Sequence, residues 1–156
     1  DVVVELYKKR FIPEKYIALE SVRMSVYKSL TSATLDKELD DILYNLINRF
    51  GPVPDPVTSL IKESRLRLIA SRVGICSLVR RPCGVVCSVE NRTEQHYASA
   101  VIDCAENFFN KSNVKYHIVP TKRDVLSLCI HFENNKDIYS LFSRFLGKFD
   151  ALVEVN

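Results

Sequence analysis

Residues 49–54 read Arg-Phe-Gly-Pro-Val-Pro and decide how the first half of the chain folds. Gly51 suits the position just after a helix, where a left-handed backbone closes the last turn, and Pro52 prevents the helix from continuing. Asp55 followed by Pro56 then predicts an N-cap and the first position of another helix. The stretch therefore predicts a tight joint between two helices.

Apolar residues recur at helical spacing on both sides of this joint. We predict a first helix from Leu19 to about Ser32, a second helix capped by Thr34, and a third helix that ends at Gly74. A short β-branched run at residues 2–6 predicts a strand before them. The apolar stripe of the second helix is expected to consist of Leu35, Leu39, Ile42, Leu43, Leu46, Ile47 and Phe50.

After Gly74 the pattern changes to short β-type runs that alternate with helices. Residues 75–80 and 85–89 flank a turn and predict a hairpin. Thr93 is expected to cap a fourth helix, and residues 116–119 predict another strand.

The cleanest alternation in the chain runs through residues 125–132. It predicts a strand with one face in the core. Asn135 is expected to open a last helix, with an apolar stripe from Ile138 to Phe149. The residues expected to face the core are Leu126, Leu128, Ile130 and Phe132, and those expected on the other face are Val125, Ser127, Cys129 and His131.

The predicted order is β-ααα-ββ-α-ββ-α. Strand pairs joined by short turns and separated by single helices indicate an α+β fold, with an antiparallel sheet and helices packed on one face. We expect residues 1–156 to form a single domain, with a helical half at about 18–74 and a sheet-containing half at about 75–150, because no flexible linker separates them.

Composition and charge favour an ordinary globular domain. The apolar fraction is 47%, the charged fraction 26% and the net charge +3, so disorder is not expected. The basic clusters at 8–10, 80–81 and 122–123 are short, and direct nucleic-acid binding is therefore an alternative and not the first choice. No apolar run approaches the ~18 residues of a membrane span. We expect a cytoplasmic protein and, since Asp1 is not an initiating methionine, either a piece of a longer polypeptide or a processed form.

The sequence carries no recognisable catalytic, cofactor or metal motif. Its four glycines are far apart, so they predict no phosphate-binding loop. The five cysteines, Cys76, Cys83, Cys87, Cys104 and Cys129, match neither a disulfide framework nor a common zinc set and are expected to be free thiols. We expect a non-enzyme without a cofactor or a metal; an active site assembled across the fold stays a third possibility.

The polar side of the second helix carries the candidate site. Glu38, Asp41, Asn45 and Asn48 follow at helical spacing opposite the apolar stripe, with Arg49 beside them. A solvated face explains this pattern as well as an interdomain contact does.

Several ordered motifs in residues 2–75 resemble the C-terminal domain of the bacterial transcription-repair coupling factor. The second half of the chain is similar to that family only in its succession of strands and helices. The motifs lie at residues 11–17, 23, 27–30, 38–39, 48–54, 65–67 and 74–75.

The resemblance implies a non-catalytic, autoinhibitory domain. Parent proteins of the family are ATP-driven DNA translocases that push RNA polymerase off a damaged template and recruit the excision-repair protein UvrA. The C-terminal domain packs on the parent's N-terminal module, which resembles UvrB, and masks the surface that UvrA would use. Its partner is thus expected in the same polypeptide, in competition with UvrA, with no direct nucleic-acid or membrane contact of its own.

One departure from the family pattern falls on the candidate site. Family members commonly have Glu and Asp where this chain has Asn45 and Asn48. In the family the acidic stretch meets basic residues of the UvrB-like module, whereas amides supply hydrogen bonds and no charge.

Overall fold

The computed structural model describes residues 1–90, 95–119, 125–132 and 137–154. The elements in chain order are β1 (Val3–Glu5), α1 (Glu20–Ser32), α2 (Asp36–Phe50), α3 (Asp55–Arg72), β2 (Ile75–Arg81), β3 (Gly84–Glu90), α4 (Gln95–Lys111), β4 (Tyr116–Val119), β5 (Val125–Ile130) and α5 (Ile138–Glu154). This order and the α+β class confirm the prediction. The proposed caps Thr93 and Asn135 lie outside the described residues.

The described part of the chain divides into two compact units, residues 7–68 and residues 1–6 with 69–156. The first unit is helical and the second holds the sheet, so α3 contributes to both. The boundary between the units lies at residues 68–69, within α3. That the chain behaves as a single domain stays a prediction.

The joint after α2 has the predicted positive φ at Gly51. The caps at the starts of α2 and α3 each differ from the prediction by one residue. Gly51 has φ +85° and its N–H donates to the Ile47 carbonyl at 2.9 Å, which closes α2. The carbonyl of Pro54 accepts the first bonds of α3, from Val57 at 3.0 Å and Thr58 at 3.1 Å. Asp55 is therefore the first helical residue rather than the predicted N-cap, and its carboxylate still lies at the positive end of the helix.

The predicted cap of α2 is wrong by one residue. Leu35 is the N-cap, and its side chain makes no capping hydrogen bond. Thr34 precedes it and donates its N–H to a Glu38 carboxylate oxygen at 3.3 Å. Because Glu38 reaches back in this way, the acidic residue of the first turn takes over part of the capping role.

The helical unit packs around one apolar cluster. Its fully buried members come from the loop before α1 and from all three helices, and they include Ile17, Leu30, Leu39, Leu46, Val57 and Ile61. The hydroxyl of Tyr16 donates to the carbonyl of Gly51 at 2.9 Å and lies 3.2 Å from that of Leu46. This bond ties the start of the unit to the joint.

The sheet has the order β1-β2-β3-β5-β4 and is mixed rather than wholly antiparallel. The β2–β3, β3–β5 and β4–β5 pairs are antiparallel, as predicted. The β1–β2 pair is parallel. Because three helices separate these two strands in the chain, the connection returns as a crossover, which is what a parallel pair needs.

Helices pack on one face of the sheet, where the aromatic residues of α4 and α5 form the core. The ring of Phe109 lies 4.6 Å from that of Phe145 and 5.7 Å from that of Tyr116 on β4. The predicted stripe of α5 is confirmed, since Ile138, Leu141, Phe142, Phe145, Leu146 and Phe149 are all buried. Asp137 accepts a hydrogen bond from the Ser140 N–H at 3.1 Å and so acts as the cap of α5.

The prediction that β5 buries one face only is wrong. Leu128 and Ile130 are buried as expected, but Ser127 and Cys129 on the other face are buried as well. The strand lies between β3 and β4, so side chains on both neighbours cover it. The hydroxyl groups of Ser127 and Ser88 lie 2.8 Å apart across the ladder.

Candidate interaction face of the second helix

The buried side of α2 orients its polar side. Leu39 and Leu46 are fully buried in the apolar cluster, and Ile42, Leu43 and Phe50 pack partly against it. Residues three and four apart share a side of a helix, so the side opposite these five residues faces away from the core of the helical unit.

Three of the five predicted site residues share this exposed side. Asp41, Asn45 and Asn48 are all exposed and follow one another at steps of four and three residues. Within residues 7–68 their side chains make no hydrogen bond or ion pair. Their polar groups are therefore available to a binding partner.

The other two predicted residues lie at the edge of that side and have local contacts. Glu38 is half-buried and accepts the hydrogen bonds of Thr34 described above, with the threonine hydroxyl at 3.4 Å. The guanidinium of Arg49 lies over the ring of Phe50, 4.9 Å from its centre. The structure thus separates the predicted set into three unengaged groups and two that support the ends of the helix.

Two further carboxylates of α2 are neutralised by a residue of α3. Arg65 donates to Asp36 at 2.7 Å and to Asp40 at 2.6 Å. Burial alone lowers the pKa of Arg65, but the hydrogen bonds and the attraction of both carboxylates more than offset it, so the pKa is raised. Asp41 has no such partner within residues 7–68 and keeps its charge available.

Two apolar side chains on α2 extend the candidate site beyond the prediction. Tyr44 is 67% exposed and Ile47 is 47% exposed, although Ile47 was expected in the buried stripe. Leu35, also expected there, is exposed because it precedes the helix. Ile47 follows the buried Leu46 by about 100° around the helix, and this rotation was the signal for its exposure.

We call the set Asp41, Tyr44, Asn45, Ile47 and Asn48 the α2 face. Tyr44 lies one turn from both Asp41 and Ile47, so it joins the polar and apolar parts. A tyrosine and an aliphatic side chain beside unpaired polar groups are typical of protein-binding surfaces. The α2 face is therefore the candidate site.

Two arginines of the basic clusters have contacts within the chain, whereas Lys8, Lys9 and Arg81 are exposed. Arg10 is bonded to the buried Glu63 at 2.6 Å. Arg80 lies over the ring of Phe132 at 5.9 Å from its centre. Residues 122–123 lie outside the described residues. These contacts occupy guanidinium groups that a phosphate backbone would need.

One described surface depression bears on the possibility of an active site. A depression of about 460 Å³ is lined by residues that include no carboxylate, serine or cysteine: Phe109, Asn110, Asn113, Val114, Lys115, Tyr116 and His131. Within the described residues no group of three or more His, Cys, Asp or Glu side chains is placed to hold a metal ion. No described helix is both long and apolar enough to cross a membrane.

The structure defines a small α+β domain whose second helix exposes the α2 face. The family model of the TRCF domain matches residues 6–100. The chain belongs to this family, the domain of transcription-repair coupling factors.

Curated relatives agree with this assignment over the first half of the chain. The transcription-repair-coupling factor of Escherichia coli K12 is 40% identical over 75 residues, which are 48% of this chain and 6% of that protein. The factor of Buchnera aphidicola is 36% identical over 72 residues, or 46% of this chain and 9% of that protein. The chain thus corresponds to a small fraction of the length of these relatives.

A solved structure extends the similarity to the whole fold. The crystal structure of the C-terminal domain of a transcription-repair coupling factor matches with a TM-score of 0.71 and 18% identity. The match covers 99% of this chain and 93% of that one. The sheet-containing half therefore has the fold of this domain, as its succession of strands and helices predicted.

Proposed function

We propose that this chain is the C-terminal regulatory domain of a longer bacterial transcription-repair coupling factor. In this proposal it carries out no catalysis. It binds the UvrB-like N-terminal module of the same polypeptide and masks the surface used by UvrA. The parent acts in the cytoplasm as an ATP-dependent DNA translocase that displaces stalled RNA polymerase and recruits nucleotide excision repair.

The observation that carries the proposal is the unengaged α2 face in a domain of this family. Three exposed polar side chains that make no hydrogen bond or ion pair within residues 7–68 lie beside Tyr44 and Ile47. A regulatory domain needs a surface whose polar groups are hydrogen-bonded to water when the domain is released and to another module when the domain is bound. The exposure of these side chains supports such a role for the α2 face.

Tethering explains how such a surface can regulate without high affinity. Two modules in one polypeptide meet at an effective concentration that reaches millimolar for short linkers. Even a weak contact then keeps the two modules bound to each other in most molecules, and UvrA in solution must compete with it. A rearrangement of the parent that separates the modules removes this advantage and exposes the masked surface.

The chemistry of the α2 face favours an apolar contact with a small electrostatic component. Asn45 and Asn48 carry no charge, and Arg65 neutralises Asp36 and Asp40. Asp41 is the carboxylate on the face with no ion pair among residues 7–68. Burial of Tyr44 and Ile47, now 67% and 47% exposed, at an interface would contribute part of the about 1.5–3 kcal/mol that full burial of an exposed apolar side chain gives.

Binding of this 156-residue chain to the isolated N-terminal module of its parent tests the proposal. Tyr44→Ala should weaken binding at least tenfold, which corresponds to about 1.4 kcal/mol. Met24→Ala is the matched control, because Met24 is an exposed apolar residue of α1 outside the α2 face. No binding at low salt and micromolar concentration, or equal losses in both variants, would contradict the proposal.

A further inference from the structure

Two histidines of the sheet lie side by side where β4 meets the end of β5. The Nδ1 atom of His117 lies 2.8 Å from the Nε2 atom of His131. The ring centres are 4.8 Å apart, and both residues are exposed. The proposed function makes no use of this pair.

The backbone under both histidines is held by the strand ladder. His117 lies opposite Cys129, two residues before His131. The N–H of His131 donates to the Lys115 carbonyl at 2.8 Å, which extends the β4–β5 ladder one step past Ile130. The two imidazoles are therefore diagonal neighbours on the same face of the sheet.

Gly84, at the start of β3, lies close to the same segment from the other edge of β5. A Cβ atom at Gly84 would overlap the carbonyl oxygen of Ile130 and would lie 3.2 Å from the Cα atom of His131. This close approach places the turn between β2 and β3 against the residues around His131. The backbone at His131 is thus set from two strands, and only side-chain rotation is left to orient the imidazole.

The separation of the two nitrogen atoms suits metal coordination. Metal–imidazole bonds are about 2.0–2.1 Å long, so two nitrogen atoms held about 90° apart by Ni²⁺ or Cu²⁺ lie about 2.8–3.0 Å from each other, whereas a tetrahedral zinc ion would need about 3.3–3.4 Å. Neutral imidazole is a preferred ligand of zinc, copper and nickel. Exposure of both rings leaves room for water in the other coordination positions.

We propose that His117 and His131 form a two-imidazole binding site for a divalent transition metal ion, with water as the remaining ligands. Each ring coordinates through the nitrogen that now faces the other ring and carries its proton on the far nitrogen. The hydrogen bond between the rings is replaced by two metal–nitrogen bonds, and a neutral pair of rings releases no proton.

The nearby thiols are not part of this site. Cys129 shares the face but donates its S–H to the sulfur of Cys83 at 2.7 Å. Cys129 is buried, unlike the two exposed imidazoles. The site is thus open, and it should follow the general order in which Cu²⁺ binds more tightly than Ni²⁺.

Calorimetric titration of the 156-residue chain with Ni²⁺ and with Zn²⁺ tests this site. His117→Asn and His131→Asn should each weaken binding at least tenfold. His96→Asn removes the third histidine of the chain and should leave the affinity unchanged. Ni²⁺ should also raise the melting temperature of the wild type and of His96→Asn, because it binds the folded state, but not that of the other two variants.

Metal binding by the thiols of Cys83 and Cys129 is the competing explanation. A Cys83→Ser/Cys129→Ser double variant should bind Ni²⁺ like the wild type, and Co²⁺ should give no thiolate-to-metal charge-transfer band. Wild-type affinity in both His117→Asn and His131→Asn would overturn the site. So would loss of binding in the double cysteine variant or a charge-transfer band with Co²⁺. Circular dichroism of each variant separates lost binding from lost folding.

Discussion

The hydroxyl of Tyr16 donates a hydrogen bond to the carbonyl of Gly51 at 2.9 Å, across 35 residues of chain. Burial raises the pKa of Tyr16 above its usual value of 10.0, so the group remains a donor up to strongly alkaline pH. The bond connects the loop before α1 with the glycine that ends α2. It therefore fixes the joint that orients the α2 face.

Removal of this hydroxyl should destabilise the helical unit. Tyr16→Phe keeps the ring against Phe50, at 5.8 Å between centres, and leaves the Gly51 carbonyl without its partner. We expect a loss of about 1 kcal/mol in the free energy of unfolding. Tyr44→Phe is the control, since Tyr44 is 67% exposed and should change stability by less than about 0.5 kcal/mol. Urea unfolding of both variants measures the difference, and equal stabilities would contradict the structural role of the bond.

Two glycines with opposite surroundings should respond oppositely to alanine. Gly84→Ala forces a Cβ into the Ile130 carbonyl at a backbone φ of +137°. It should lower the free energy of unfolding by more than about 2 kcal/mol. Gly147→Ala lies within α5 and has no atom within 4 Å of the new Cβ, so it should stabilise by about 0.5–1 kcal/mol. Thermal unfolding measures both effects. A stabilised Gly84→Ala variant would refute the close approach of Gly84 to the Ile130 carbonyl.

Thiol reactivity should separate the cysteines by exposure. Cys83 is exposed, whereas Cys87 and Cys129 are buried. Because the thiolate is the reactive form, the raised pKa values of Cys87 and Cys129, both about 12, slow them further. Alkylation of the native protein, followed by mass spectrometry, should label Cys83 first and leave Cys87 and Cys129 unlabelled until urea unfolds the chain. Early labelling of Cys87 would contradict its burial.

Stability should fall at alkaline pH because of the buried thiols. The pKa of Cys87 is raised from 9.0 to about 12 by burial and the nearby Cys76. The unfolded chain therefore loses this proton first, so the contribution of Cys87 is complete below about pH 9 and decreases as pH rises towards about 12, by up to about 1.4 kcal/mol per pH unit. Cys87→Val removes the titrating group and should flatten this decrease between pH 9 and 11. Identical pH profiles of the wild type and the variant would contradict the assignment.

Restoring the family's carboxylates should strengthen the proposed contact. Asn45→Glu with Asn48→Asp places two charges on the exposed side of α2, next to Asp41. If the partner surface is basic, affinity for the N-terminal module should rise at low salt and fall more steeply as salt increases. Surface plasmon resonance at two ionic strengths measures this. The matched control, Asn45→Gln with Asn48→Gln, should show neither effect, and a weaker, salt-independent response of the charged variant would argue against a basic partner.

Local signals made much of the fold predictable. The Gly51 and Pro52 joint, the helical stripes and the hairpin after Gly74 all depend on residues close together in sequence. The parallel β1–β2 pair and the second buried face of β5 depend on distant segments instead. Nothing in the local pattern announces them.

The candidate site divides in the same way. Helical spacing was sufficient to place Asp41, Asn45 and Asn48 on one side of α2. It could not show that Arg65, 25 residues after Asp40, neutralises that carboxylate. The His117–His131 pair was also hidden, because the rings meet only when the β4–β5 ladder forms. Pairings of this kind require the tertiary structure.

UvrA binding by the full-length parent tests the central claim most directly. The parent would be compared intact, without the segment corresponding to residues 7–156, and with Tyr44→Ala, each titrated with UvrA at one salt concentration. Masking by this domain predicts weak UvrA binding by the intact parent, strong binding by the shortened one and an intermediate affinity for the Tyr44→Ala variant. Equal UvrA affinity for all three would contradict the account.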